Sequence, residues 1–266
     1  MNVQDSISTP EDRPVVCTIL GDAGRGKTSL AATFPNPIFI RAEDGLQAIP
    51  AASRPKAFPV LRATMREGVE FSVMDQIREQ LTYLLREPHD FKTAVFDSVT
   101  ALESIFTDYV VESDPKKPKG IQQALGGYGA GRDAVASMHR RLRMSAESLV
   151  TQRGMNVVFI AHAETSRIDP PDADSYTSYT MRMHEKSQQP YLDNVDLVGF
   201  LRLQTYVTGE SGERKLARSS GQLELVCHAT PTNVSKNRFG ITNPMVFEPG
   251  KNPLEAVIPH LKGKSK

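Results

Sequence analysis

The sequence predicts an α/β protein, with a mainly parallel central sheet flanked by helices and an antiparallel extension near the C-terminus. Three observations lead there. An apolar run at 15–20 enters a glycine-rich turn and then a helix-like stretch without interruption. Short apolar runs at 37–41, 93–96 and 155–161 each end in polar residues and alternate with segments of helical periodicity, the pattern of strands joined by crossover helices. Late in the chain, strand-like runs at 196–203, 205–207 and 223–228 follow closely around the turn GESGERK, which favours hairpin pairing.

With 266 residues the chain suits one generous core. The expected division is a flexible segment at 1–14, the core at 15–250 and a basic tail at 251–266. A composition of 39% hydrophobic and 24% charged residues is that of a soluble globular protein. No apolar run approaches a membrane span, and charges occupy the first 14 residues where a signal peptide needs apolar ones. A cytoplasmic protein with no membrane partner is therefore expected. The net charge of +1 leaves any nucleic-acid contact to a local patch. Cys17 and Cys227 each sit in an apolar run and read as small buried hydrophobes, too few for a disulfide framework.

The turn after the first strand reads Gly21, Asp22, Ala23, Gly24, Arg25, Gly26, Lys27, Thr28, followed by Ser29. It satisfies G-x-x-x-x-G-K-[ST] between a strand and a helix. Glycines there let consecutive N–H groups converge on phosphates, and the following helix start adds its positive end. Lys27 is expected on the β- and γ-phosphates and Thr28 on Mg²⁺, so ATP and Mg²⁺ are the expected cofactors. The competing reading is a chance glycine-rich turn.

The second strand, PIFIR, ends in Ala42, Glu43, Asp44 and Gly45. One carboxylate serves as a general base for the water attacking the γ-phosphate, or the pair is a solvated acidic turn. AFPVLRA at 57–63 reads as a further strand, and Val73, Ile77, Leu81 and Leu84 form a helical stripe. TAVF then ends in Asp97, in the form of a strand whose terminal carboxylate supports Mg²⁺. Capping the next helix is the alternative role, and one residue can do both. In that helix Leu102, Ile105, Phe106 and Tyr109 share a face. MNVVFIA ends in His162, which reads either as a structural histidine or as a group sensing the γ-phosphate.

Two long stretches carry no clear period. ESDPKKPKGIQQALGGYGAGRD, at 112–133, holds Lys116, Lys117, Lys119, Tyr128 and Arg132, a mixture suited to phosphates and base stacking in a mobile loop, or merely a solvated one. A helix at 134–152 follows, with arginines 140, 141 and 143 expected off its buried face. The stretch at 164–190 mixes Arg167, Arg182 and Lys186 with tyrosines and aspartates, and those three cations are expected to line a DNA path together with the first loop.

Taken together, GDAGRGKTS, FIRAEDGL, VFDSVTAL and NVVFIAHAE resemble the ATPase core of the RecA recombinase superfamily. The similarity is greatest to bacteriophage RecA-like proteins that assist single-strand annealing, a phage group of AAA-type ATP-binding proteins, and covers about residues 15–248. It implies a RecA-like P-loop core, Glu43 as the water-activating carboxylate, and His162 in the place where the family usually carries Gln. SKNRFGI resembles the family's late basic pair, so Lys236 and Arg238 would reach the ATP of a neighbouring subunit. The resemblance also implies single-stranded DNA and a homo-oligomer, ring or filament, as partners, a single-strand DNA-binding protein as an accessory, and a phage-infected bacterial cytoplasm. Arg41 stands where the family usually has Asp, and no DNA-binding appendage is seen. A hexameric helicase-like motor, a small-molecule kinase and a non-catalytic ATP-responsive scaffold are the alternatives.

Overall fold

The computed structural model describes residues 7, 12–172, 174–208 and 216–262. The expected turn at 209–215, the end of the basic tail at 263–266 and most of the N-terminal segment lie outside these residues. The strands are β1 (Val16–Gly21), β2 (Pro37–Arg41), β3 (Lys56–Ala57), β4 (Thr64–Arg66), β5 (Val69–Phe71), β6 (Thr93–Asp97), β7 (Asn156–Ile168), β8 (Tyr176–Met181), β9 (Leu197–Thr208), β10 (Leu216–Val226), β11 (Lys236–Asn237) and β12 (Met245–Phe247). The helices are α1 (Lys27–Ala31), α2 (Val73–Arg86), α3 (Val99–Ser113), α4 (Ala130–Arg153) and α5 (Glu185–Leu192).

The main sheet runs in the order β12-β10-β9-β1-β7-β6-β2-β3. Pairing is parallel from β9 to β3 and antiparallel from β9 through β10 to β12. The fold class expected from the sequence is thus the one observed. Both faces of the central strands are covered, so their side chains alternate between two apolar layers. Val16, Leu20, Phe96 and Phe159 face α2, α3 and α4, whereas Cys17, Ile19, Val95 and Val158 face α1 and the C-terminal turns. Helix starts follow local chemistry: Ser72 and Ser98 accept the N–H groups of Asp75 and Ala101. Gly154, at φ 61°, closes α4 in the left-handed conformation that glycine tolerates.

Several expectations are corrected. The helix after the glycine loop is only five residues long, because Pro35 soon ends what SLAATF begins. The strand expected at 57–63 shrinks to β3. The stretch at 164–190 is not irregular: β7 continues past the sheet and pairs with β8 from Ala163↔Met181 to Ile168↔Tyr176, and α5 follows. Its β-branched and aromatic residues carry that signal, which the Asp- and Pro-rich tip obscures. The loop expected at 112–133 is shorter and anchored. Helix α3 reaches Ser113, α4 begins at Ala130, and Ile121 and Ala124 are buried between them. The Asp114 carboxylate accepts from the N–H groups of Lys116 and Leu125. Arg143, expected on an outer face of α4, is buried and binds Glu147 and the carbonyl of Asn194.

Packing also runs past the boundary expected at residue 250, since Leu254, Ile258 and Leu261 are buried. Cys17 and Cys227 are free and buried, and burial pushes the Cys227 thiol up to about 12. Among the described residues no helix is long and apolar enough to cross a membrane.

Candidate nucleotide site

Parallel register brings four strand ends together at one edge of the sheet. Gly21 of β1 lies opposite His162 of β7, Ile160 of β7 opposite Asp97 of β6, and Asp97 opposite Arg41 of β2. Functional side chains in open parallel sheets gather at this C-terminal edge. Here it opens into a cleft of about 440 Å³, lined by residues 24–29 and by Glu43, Gly45, Asp97 and His162. Hollows of similar size lie away from this edge, one between α2, α3 and α4 and one against α2 and α3.

The glycine loop curls through left-handed backbone at Gly24, φ 73°, and Gly26, φ 82°. Lys27, 5% exposed, folds back beneath it. Its Nζ donates to the carbonyls of Gly21 at 2.9 Å and Asp22 at 2.8 Å, and lies 3.3 Å from His162 Nδ1. Burial lowers its pKa to about 8, against the opposing pull of Asp97, Glu43 and Asp22 and with help from the positive charge of Arg182.

Thr28 Oγ1 donates to Asp97 Oδ2 at 3.0 Å. Asp97 is 2% exposed, and burial pushes its carboxyl up to about 6 although the Thr28 hydrogen bond and Lys27 pull the other way. Its backbone carbonyl accepts from Ala42 and Glu43, which fixes the acidic turn over β6. The Asp97–Ser98 peptide is cis. Capping of α3 falls to Ser98 and not to Asp97. A Cβ at Gly45 would stand 3.1 Å from both Asp97 Oδ2 and Thr28 Oγ1, so only glycine leaves these oxygens uncovered. A hydroxyl and a carboxylate are hard donors, and Mg²⁺ characteristically takes one or two such protein ligands together with phosphates and water. The residues present fit that ion.

Glu43 meets His162 Nε2 at 3.0 Å. This hydrogen bond, assisted by Ser98 and Lys27, holds its carboxyl down at about 2 despite partial burial. A neutral His162 protonated on Nε2 satisfies both neighbours, receiving from the Lys27 ammonium and donating to Glu43. The backbone N–H of His162 is held by Thr100 Oγ1 at 2.9 Å. Asp44, the second carboxylate of the acidic turn, is engaged by Arg41 at 2.9 Å.

Other expected site residues fall elsewhere. Lys236 and Arg238 lie at the opposite edge, where β11 pairs with the start of β9, a strand's length from this subunit's own glycine loop. Lys116, Lys117, Lys119 and Tyr128 are exposed on the α3–α4 loop, the tyrosine fully so. Arg132 belongs to the first turn of α4 and pairs with Glu103 at 3.7 Å. Arg167 pairs with Asp169 on the β7–β8 hairpin, and Lys186 with Asp133. Arg182 closes the base of that hairpin through its N–H to the His162 carbonyl, and its charge is felt at Lys27. Sequence reading missed Ser98, Thr100 and the close approach at Gly45. The two hydroxyls stand at the start of the helix that follows Asp97 and were the available signal.

The chain is similar to a solved structure described as the RadB recombinase, with a TM-score of 0.47 and 13% identity over 93% of this chain and 94% of that one. No curated protein matches. The family model AAA_24, described as an AAA domain, matches residues 13–239, most of the chain, and the protein belongs to that family.

Proposed function

We propose that the protein is a MgATP-hydrolysing core of the RecA-like kind that works on single-stranded DNA as a homo-oligomer, in recombination or strand annealing of the bacteriophage type. The observation that carries this reading is the convergence on one cleft of Lys27 and Thr28 after β1, Glu43 after β2, Asp97 at the end of β6 and His162 on β7. The loop N–H groups and Lys27 hold the triphosphate, and Thr28 and Asp97 hold the ion. Mg²⁺ held there would supply charge neutralisation to the triphosphate. Glu43, ionised over the whole physiological range, orients a water molecule and accepts its proton as the oxygen bonds to the γ-phosphorus and the bond to ADP breaks. When the γ-phosphate draws Lys27 away from the carbonyls of Gly21 and Asp22, His162 loses its Nδ1 partner.

His162 is also the residue at which β7 leaves the sheet to form the hairpin carrying Arg167 and Tyr176. This gives a direct route from the γ-phosphate to a DNA-contacting hairpin. The exposed Lys116, Lys117, Lys119 and Tyr128 supply a second contact, by charge and stacking. The test is steady-state ATP hydrolysis with and without single-stranded DNA, with the Lys27→Ala protein as control. Stimulation that vanishes in the control supports the reading; turnover indifferent to DNA removes its DNA half.

A further inference from the structure

At the N-terminal edge of β1, a strand's length from the glycine loop, one buried carboxylate organises a group of cations. Asp196, 5% exposed, receives Arg13 at 2.6 Å and Arg238 at 3.1 Å on the same oxygen, Oδ1. Its other oxygen accepts the N–H of Val16 at 3.0 Å, and its own N–H donates to the Val16 carbonyl at 2.7 Å. Two guanidinium groups are therefore held side by side, and they are half-exposed or more, at 50% for Arg13 and 57% for Arg238. Lys236 completes the row by donating to the backbone carbonyl of Asp193, an acceptor that leaves the ammonium charge uncompensated. Glu147 offsets part of the charge, at 3.5 Å from Arg13, but it is shared with Arg143. Like charges are costly to hold together unless an anion sits against them, and guanidinium pairs suit phosphate oxygens.

We propose that Arg13 is a third member, with Lys236 and Arg238, of a cation set that completes the nucleotide site of a second copy of this chain, and that Asp196 positions the two arginines. The proposal rests on the trans assignment of Lys236 and Arg238 and extends it to a residue more than 200 positions away in sequence. The occupant is the triphosphate held by the neighbour's glycine loop. The cluster is bolted to the first residue of β1, and β1 ends in this subunit's own glycine loop. A rigid buried strand thus joins the cations offered to one neighbour to the phosphates held here.

The experiment compares Arg13→Ala, Arg13→Lys, Asp196→Asn and the Lys236→Ala/Arg238→Ala pair for ATP turnover as a function of protein concentration. A mixture of Lys27→Ala with Arg13→Ala/Arg238→Ala is assayed alongside. Arg13→Ala should lose about tenfold or more in turnover where subunits associate, with ATP affinity of dilute protein little changed, and Arg13→Lys should recover part of the loss. Asp196→Asn, which retains an acceptor for Val16, should fall with Arg13→Ala. Each partner of the mixture should be nearly inactive alone, and together they should regain turnover several-fold, because Lys27→Ala subunits lend their arginines. Wild-type turnover in Arg13→Ala with a deficient Lys236→Ala/Arg238→Ala pair overturns the inference and spares the trans reading. Wild-type turnover in both overturns the trans reading as well.

Discussion

The hydroxyl of Thr28 donates to Oδ2 of Asp97 at 3.0 Å, tying the turn after the glycine loop to the end of β6, 69 residues later. Gly45 leaves both oxygens open on their remaining side. Asp97→Asn is nearly isosteric and keeps an acceptor for Thr28, so the fold should survive. Turnover should fall by about two orders of magnitude, while ATP binding in EDTA stays within about threefold of wild type. Calorimetric titration with and without Mg²⁺ separates the effects. A variant that keeps its Mg²⁺ dependence would reduce the pair to a structural contact.

Glu43 and His162 form the second couple, with a pH signature. The folded carboxyl titrates at about 2 against an ordinary value of 4.5, chiefly because His162 donates to it. Between those values the unfolded chain binds more protons than the folded one, so stability rises with pH. The contribution is complete above about 4.5 and is lost as the pH falls towards 2. Melting temperatures measured from pH 2 to 6 should therefore fall less steeply with acid in His162→Ala than in wild type. Parallel curves would show that the hydrogen bond does not hold the carboxyl down. At neutral pH Glu43→Gln should lower hydrolysis by about 10²–10⁴-fold, the range for a lost general base, and leave ATP binding intact.

Much of this site was legible in the sequence because parallel strands deliver their terminal residues to one edge. Knowing that 15–20, 37–41, 93–96 and 155–161 are strands is enough to bring Lys27, Glu43, Asp97 and His162 together. What stayed hidden depended on distances between segments. Ser98 and Thr100 look like ordinary helix-start residues until Glu43 and the His162 N–H are placed against them. The hairpin beyond His162 was lost behind its Asp- and Pro-rich tip, and Arg13 carried no local signal at all. Arg132 and Lys186 looked like free charges because Glu103 and Asp133, their partners, belong to other parts of the chain.

The α3–α4 loop offers a test of the DNA reading that leaves the ATP cleft untouched. Leu125 and Tyr128 both adopt positive φ, at 55° and 51°, and both are exposed. Asp114 pins the base of the loop, so its tip is presented on a fixed footing. Lys116, Lys117 and Lys119 replaced together by Ala should weaken single-stranded DNA binding and flatten its salt dependence, the slope falling in proportion to the phosphates released. Tyr128→Ala should cost about 1–3 kcal/mol for a lost base stack with the salt slope unchanged. Fluorescence anisotropy at several salt concentrations reads both, and identical slopes for the lysine variant and wild type would move the DNA path elsewhere.

Helices α3, α4 and α5 are joined by a buried polar chain. His139, 0% exposed, meets Tyr191 at 2.7 Å through Nδ1 and Glu103 at 2.9 Å through Nε2. Burial raises the Tyr191 hydroxyl well above its ordinary pKa, so it remains protonated. Tyr191→Phe keeps the ring against Phe159 but leaves Nδ1 without a partner in a site closed to water. An orphaned buried polar atom costs about 1–3 kcal/mol. The urea midpoint should fall accordingly with the slope of the transition unchanged, because the same surface is exposed on unfolding. Since this chain lies outside the nucleotide cleft, ATP affinity at 25 °C should not move. A loss of ATP binding without a loss of stability would mean that the network serves the hairpin's coupling to His162 and not the packing of the helices.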